Sequence, residues 1–289
     1  MVRISFVIGM LAWTIQCTSQ EQAPPTYSYS LRVNKLYELP KSCDETSGLE
    51  YIDGNILSVN DKGNTEEVFV FSEKGKLRHT ITLENAKNHD WEDISSNSEY
   101  VFVGDIGNNN ATRKELTIYA FPKEKLSEKE ISAQTIHFSY KKQTSFEKSV
   151  RNHPFDAEAM FALENELIII GKDWTYTNTW LYRLPIEFGD TVHSLSPKEV
   201  IKLDGLITGA DYNPDTQMVA FCGYKGKTNY LWLSRYENGR FLGQMSQYEL
   251  VKLHGAQIEG ITFKDDNTLI ISSEITKKFE PQLWEIRLR

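Results

Sequence analysis

The chain has 289 residues, with 32 basic and 40 acidic side chains, for a formal net charge of −8. That balance argues against a nucleic-acid partner, which asks for a basic footprint. Hydrophobic residues make up 40% and aromatics 12%, enough to build a large core and exclude wholesale disorder.

The N-terminus has the form of a targeting segment. Arg3 precedes the apolar run ISFVIGMLAW (4–13), which is too short to span a bilayer comfortably. Residues 1–16 are expected to be a signal peptide. Cys17 follows directly and resembles the lipidated cysteine of bacterial lipoproteins, although Thr14 and Gln16 stand where that signal usually has a leucine and a small residue. The resemblance implies export, lipidation at Cys17 and anchoring on a periplasmic or outer-membrane surface. Residues 17–26 are a polar, Pro-containing linker, and 27–289 form one domain. Cys43 and Cys222 lie in different repeats and are expected as two isolated thiols, with a bridge as the alternative.

An internal repeat organises that domain. Five segments share one pattern: ETSGLEYIDGNILSVND (45–61), DWEDISSNSEYVFVGDIG (90–107), FDAEAMFALENELIIIGKD (155–173), LITGADYNPDTQMVAFCGY (206–224) and QIEGITFKDDNTLIISSE (257–274). The aligned residues Gly48, Asp93, Ala159, Gly209 and Gly260 are spaced by 45, 66, 50 and 51 positions, the period of a propeller blade. Each segment reads as a hairpin, with turns such as Asp53-Gly54 and Asn213-Pro214. A second hairpin follows in the first four units: 66–71 with 77–83, 115–120 with 135–140, 179–184 with 199–203, and 230–236 with 248–253. The fifth unit is one strand short, and 27–39 can supply it. The fold expected is therefore an all-β, five-bladed propeller with four strands per blade, closed by the N-terminal strand. Residues 123–132 and 141–154 read as charged insertions on blade two; a sixth blade there is the alternative.

Topology brings the loops entering each repeat and those leaving each hairpin to one mouth of the central channel. Glu92, Glu158 and Glu259 share one aligned position, where Ser47 and Thr208 stand in the other two repeats. Convergent carboxylates repel unless a cation or protons compensate. Hard oxygen donors without clustered His or Cys suit Ca2+ or Mg2+, so Glu92, Glu158, Glu259 and Glu274 are the candidate metal ligands. The candidate ligand-binding residues on the same rim are Glu45, Asp61, Asn64, Asp90, Trp91, Asp105, Asn108, Arg113 and Asp173. Trp91 reads either as a platform or as packing, and Arg113 either as an anion partner or as a bridge between acidic loops. His89, beside Asp90, is the acid/base candidate of the set, with Glu92 and Asp93 as candidate bases. No nucleophile elbow, phosphate loop or zinc-protease motif is present.

ETSGLEY with SVNDKGN, NHDWEDI with GDIGNNN, then DAEAM and IEGI resemble exported bacterial propellers of the SdiA-regulated type and the phytase-like esterase propellers. The resemblance covers roughly residues 36–274. It implies a propeller but not a chemistry, because propellers host unrelated activities. Thr208 departs from the acidic pattern. The expectation is an exported, lipid-anchored, monomeric propeller that binds a small-molecule or protein ligand at an acidic mouth, through Ca2+. A metal-dependent phosphoester or carboxylester hydrolase and a protein-interaction scaffold are the alternatives.

Overall fold

A computed structural model describes residues 28–175 and 179–289. The signal peptide, Cys17 and the linker lie outside the described residues. The chain forms a five-bladed β-propeller, each blade a four-stranded antiparallel sheet running outward from the axis. Blade 1 comprises Thr46–Ile52, Asn55–Asn60, Glu67–Ser72 and Leu77–Leu83. Blade 2 comprises Trp91–Ser96, Tyr100–Asp105, Leu116–Pro122 and Gln134–Tyr140. Blade 3 comprises Ala157–Ala162, Glu166–Gly171, Thr179–Pro185 and Glu199–Ile201, and blade 4 comprises Leu206–Asn213, Met218–Lys225, Thr228–Glu237 and Arg240–Glu249. Blade 5 takes Ile258–Asp265, Thr268–Ser273 and Gln282–Leu288 from the C-terminus and its outer strand, Leu31–Glu38, from the N-terminus. That strand pairs antiparallel from Leu31 opposite Leu288 to Glu38 opposite Gln282. The ring is closed by backbone hydrogen bonds between segments that are far apart in sequence, which ties the two ends of the chain into one blade.

The strands read as continuous apolar runs because both faces of every sheet are covered. Five hydrophobic clusters fill the five seams between neighbouring blades. Alternation then sorts the side chains. In Tyr100–Asp105, Val101 and Val103 pack toward blade 1 while Phe102 packs toward blade 3. In Met218–Lys225, Val219 and Phe221 face blade 3, and Ala220 and Cys222 face blade 5. Cys43 and Cys222 are both buried free thiols in separate blades. Burial pushes the Cys43 thiol up to about 12, which leaves it unreactive.

Three details depart from the sequence expectation. The positive φ angles of Asn238 and Gly239 make a two-residue turn, so the outer strand of blade 4 restarts at Arg240 and ends at Glu249. Val251–Leu253, expected as strand, winds into a 3-10 turn that buries Leu253 and exposes Val251. The insertions do not hide a sixth blade. Glu130–Ile131 from the blade 2 insertion adds a parallel strand to the edge of blade 1, and Val192–Leu195 from blade 3 does the same for blade 2. These segments lace adjacent blades together and cap two outer edges.

The innermost strands approach one another closely around the axis. A Cβ on Gly48 would lie 2.7 Å from the Cα of Asp93, and one on Gly260 would lie 2.8 Å from the carbonyl carbon of Gly48. At Gly48 and Gly260 the lack of a side chain is thus a requirement of ring closure.

Candidate functional site

The innermost strands present two tiers of polar side chains to the axis. The upper tier is the aligned set Ser47, Glu92, Glu158, Thr208 and Glu259. The lower tier lies three residues further along: Glu50, Ser95, Phe161, Asp211 and Thr262.

The lower tier fastens blade to blade. The Ser95 hydroxyl accepts the Ala162 N–H at 2.9 Å, Asp211 Oδ2 accepts the Phe263 N–H at 2.7 Å, and Thr262 Oγ1 accepts the Tyr51 N–H at 3.0 Å. Each bond runs from one blade to the next at the same register. Phe161 has no such oxygen and stacks instead on Tyr212 and Tyr236. Asp93 belongs to this scaffold. It is fully buried, its Oδ2 accepts the Met160 N–H of blade 3 at 2.8 Å, and its Oδ1 accepts the Ile94 N–H at 2.9 Å. A side chain so enclosed has no route to a substrate, so it is a positioning group rather than a base.

The upper tier opens into a cavity of about 340 Å3. Asp61, Glu92, Glu158, Glu259 and Glu274 all line it. The four sequence-predicted metal ligands therefore share one chamber, joined by Asp61. Lys172 was not expected there. It is 4% exposed, donates to Glu158 Oε2, and lies 4.6 Å from the Trp174 ring centre and 5.5 Å from that of Tyr224. Its place in the sequence, one residue past an apolar strand, carries no sign that it folds inward. Arg151 covers Trp174 at 4.7 Å, and the Trp174 Nε1–H donates to Asp156 Oδ2 at 2.7 Å.

Burial is the main cause that pushes the mouth carboxyls up. Asp61 rises to about 6, Glu158 to about 7, Glu259 to about 8 and Glu274 to about 9. Mutual repulsion adds to it, and Lys172 opposes it at Glu158 and Glu259. Burial alone would lower Lys172, but Glu158, Tyr224 and Glu259 around it reverse the sign and hold the ammonium charged. The direct contact with Lys172 favours the charged form of Glu158 against burial. Lys62, Arg151 and Lys227 share the lining, so five acids face four bases, and the raised carboxyls hold protons where no cation meets them.

The remaining sequence candidates divide. Asp61 and Asp90 meet Glu92 on the blade 1 side of the mouth, where one carboxylate oxygen from each lies within 4.8 Å of the others. Lys62 Nζ sits 2.9 Å from Asp90 Oδ1 and 3.7 Å from Asp61 Oδ2. Asn64 and Glu45 bond each other at 2.7 Å at the exposed rim, outside the chamber. Trp91 is fully buried in the seam between blades 1 and 2, with its Nε1–H on the Lys87 carbonyl and its ring against Tyr119; it is packing, not a platform. Arg113 clasps Asp105 through both nitrogens at 2.9 Å and donates to the Gly107 carbonyl, so it bridges loops, and Asp105 is spent on that clasp. Asn108 is buried and ties the Arg113 N–H to the Phe155 carbonyl. Asp173 caps the following turn by accepting from the Thr175 N–H and hydroxyl. His89 is exposed in a side notch with Arg113 and Glu115, separate from the chamber.

No family model matches the chain, and no curated protein matches it significantly in sequence. Solved structures do resemble it. One is the PQQ-bound form of an aldose sugar dehydrogenase from Streptomyces coelicolor, 10% identical with a TM-score of 0.50, covering 90% of this chain and 99% of that one. Another is a glucose dehydrogenase, 10% identical with a TM-score of 0.51, covering 88% and 98%. A DUF4623 family protein from Bacteroides eggerthii is 10% identical with a TM-score of 0.48, covering 92% and 77%. At these identities the likeness shows a β-propeller fold alone. The sequence resemblance to the SdiA-regulated and phytase-like propellers is supported as far as that fold.

Proposed function

We propose that this protein is an exported, lipid-anchored binding propeller whose central mouth receives a small ligand carrying positive charge. The observation that supports this reading is the convergence of Asp61, Glu92, Glu158, Glu259 and Glu274 on one chamber, where burial and mutual repulsion hold carboxyls above their ordinary range until a cation or a proton meets them. An incoming cation, either a hard metal ion such as Ca2+ or an organic ammonium, relieves repulsion that the fold has already built in. The chamber volume of about 340 Å3 suits a small molecule and not a protein segment. The donors are all oxygen, as Ca2+ or Mg2+ prefer, and Asn109 adds a buried amide oxygen without a partner on the same lining.

The test is calorimetry and thermal shift with CaCl2, MgCl2 and a set of small alkylammonium salts. Binding of at least one of these is the expected result, with alkylammonium binding weakened by Glu259→Gln. Failure of every cation to bind overturns the reading. Detergent partitioning of the full-length protein, lost in Cys17→Ala, checks the anchor. A hydrolytic reading has one observation in its favour. Asp61 and Glu158 are held at about 6 and about 7, where a general base works at neutral pH. Calcium-dependent turnover of a simple phosphoester or carboxylester, lost in Glu158→Gln, would move the assignment to an enzyme.

A further inference from the structure

Within the acidic mouth, one corner differs from the rest. Asp61 leaves the hairpin of blade 1, Asp90 and Glu92 enter blade 2, and the three carboxylates meet where those blades join. Their nearest oxygens lie within 4.8 Å of one another, a span that a single ion with metal–oxygen distances of about 2.3–2.6 Å can bridge.

Two independent observations point to a ligand there. Glu92 is 6% exposed, lines the chamber, and its carboxylate makes no hydrogen bond or ion pair among the described residues. A buried, unpartnered carboxylate aimed into a cavity costs stability unless something meets it. Asn109 borders both the chamber and the adjoining notch that Asp90 lines, and its buried side-chain oxygen is also without a partner. Both orphans are acceptors, so what they lack is a cation or a donor. The backbone leaves room for it: Gly107 lies against the Asp90 and Glu92 carboxylates, where any side chain would strike them.

The corner already holds a substitute. Lys62 Nζ bridges Asp90 and Asp61, yet its side chain is 52% exposed and sits on a loop. It can leave for water at small cost, since such half-exposed pairs hold weakly. With Lys62 swung out, the three carboxylates carry a formal charge of −3, more than enough to hold a divalent ion.

Resting on the reading of the mouth as a cation receiver, we propose that Asp61, Asp90 and Glu92 form a divalent-cation site, with the Asn109 amide oxygen as a further donor and Lys62 as a tethered competitor for it. The ion enters as Lys62 swings out, and the acids of blade 5, Glu259 and Glu274, are left for the ligand itself.

The experiment is calorimetric titration of chelator-treated full-length protein with CaCl2, and in parallel with MgCl2, on four proteins: wild type, Glu92→Gln, Lys62→Met and Glu259→Gln. Circular dichroism confirms that each is folded. The expected result is one ion per chain, loss of binding in Glu92→Gln, binding tighter by about tenfold in Lys62→Met because a competing charge is gone, and binding within about threefold of wild type in Glu259→Gln. Lys62 is exposed and its variant is expected to fold even if Glu92→Gln does not, so the gain in affinity stands as a test by itself. Equal loss in Glu259→Gln and Glu92→Gln would place the ion at the centre of the mouth and overturn the proposal. So would weaker or unchanged binding in Lys62→Met. If neither metal binds while an alkylammonium does, this site is refuted and the wider reading of the mouth survives.

Discussion

Lys172 donates to Glu158 inside the mouth, with side chains only 4% and 8% exposed. Breaking a buried pair by removing one partner strands the other charge, at about 3–5 kcal/mol. Lys172→Met is therefore expected to lower the unfolding free energy by about that amount. Glu158→Gln with Lys172→Met should recover part of the loss, because the carboxylate that Lys172 contacts directly is gone as well. Urea unfolding of the two single variants and the double variant measures the coupling; additive losses would mean that the contact is not an energetic pair.

The raised carboxyls make stability depend on pH in one direction. Glu259 and Glu274 ordinarily titrate near 4.5 and are held at about 8 and about 9 in the folded chain, chiefly by burial. Between those limits the folded state binds more protons than the unfolded one, so stability falls as pH rises. The midpoint of thermal unfolding should decline from about pH 5 to pH 9, and the decline should be shallower in Glu274→Gln. A bound cation favours the ionised carboxyls, so saturating Ca2+ should flatten the profile as well. A profile that rises with pH across this window would contradict the assignment.

Asp93 joins blade 2 to the Met160 N–H of blade 3 and also accepts the Ile94 N–H of its own strand. Asp93→Ala leaves buried backbone N–H groups without acceptors, at about 1–3 kcal/mol each. Asp93→Asn keeps one acceptor and should lose less. Both variants, where folded, should bind cations as the wild type does, since Asp93 does not line the chamber. Calorimetry on the Asn variant separates this structural role from a catalytic one.

The propeller was legible in the sequence because each blade repeats the same register, from Gly48 to Gly260, and because 27–39 offered the missing strand. The gathering of Glu92, Glu158 and Glu259 was legible for the same reason: aligned positions must share one tier, and Glu274 joins them because the end of its hairpin meets the same mouth. What the repeat could not show is pairing off its own register. Lys172 is not aligned with any of the carboxylates it meets, and Arg113 reaches Asp105 through a loop. Trp91, placed among polar residues, looked available and is instead turned into a seam by the alternation of its strand. The lacing strands Glu130–Ile131 and Val192–Leu195 are short and parallel, with no hairpin signal to announce them.

Ring closure itself can be tested at one glycine. A Cβ on Gly48 would lie 2.5 Å from the Ile94 nitrogen and 2.7 Å from the Asp93 Cα, both backbone atoms of the adjoining blade. Neither can yield without moving an innermost strand, and overpacking of this kind costs about 1–3 kcal/mol or more. Gly54 offers a control. Its φ is +77°, and a Cβ there meets nothing within 4 Å, so Gly54→Ala carries only the conformational penalty of about 1 kcal/mol. Gly48→Ala should therefore destabilise more than Gly54→Ala and should also disturb Glu92, whose carbonyl accepts the Ser47 hydroxyl at 2.8 Å beside that contact. The readout is twofold: a lower unfolding midpoint and weaker cation binding in Gly48→Ala, against a small loss of stability and unchanged binding in Gly54→Ala. Equal behaviour of the two variants would mean that the inner strands have room to spare, and that the small residue of the repeat reflects turn chemistry rather than closure of the ring.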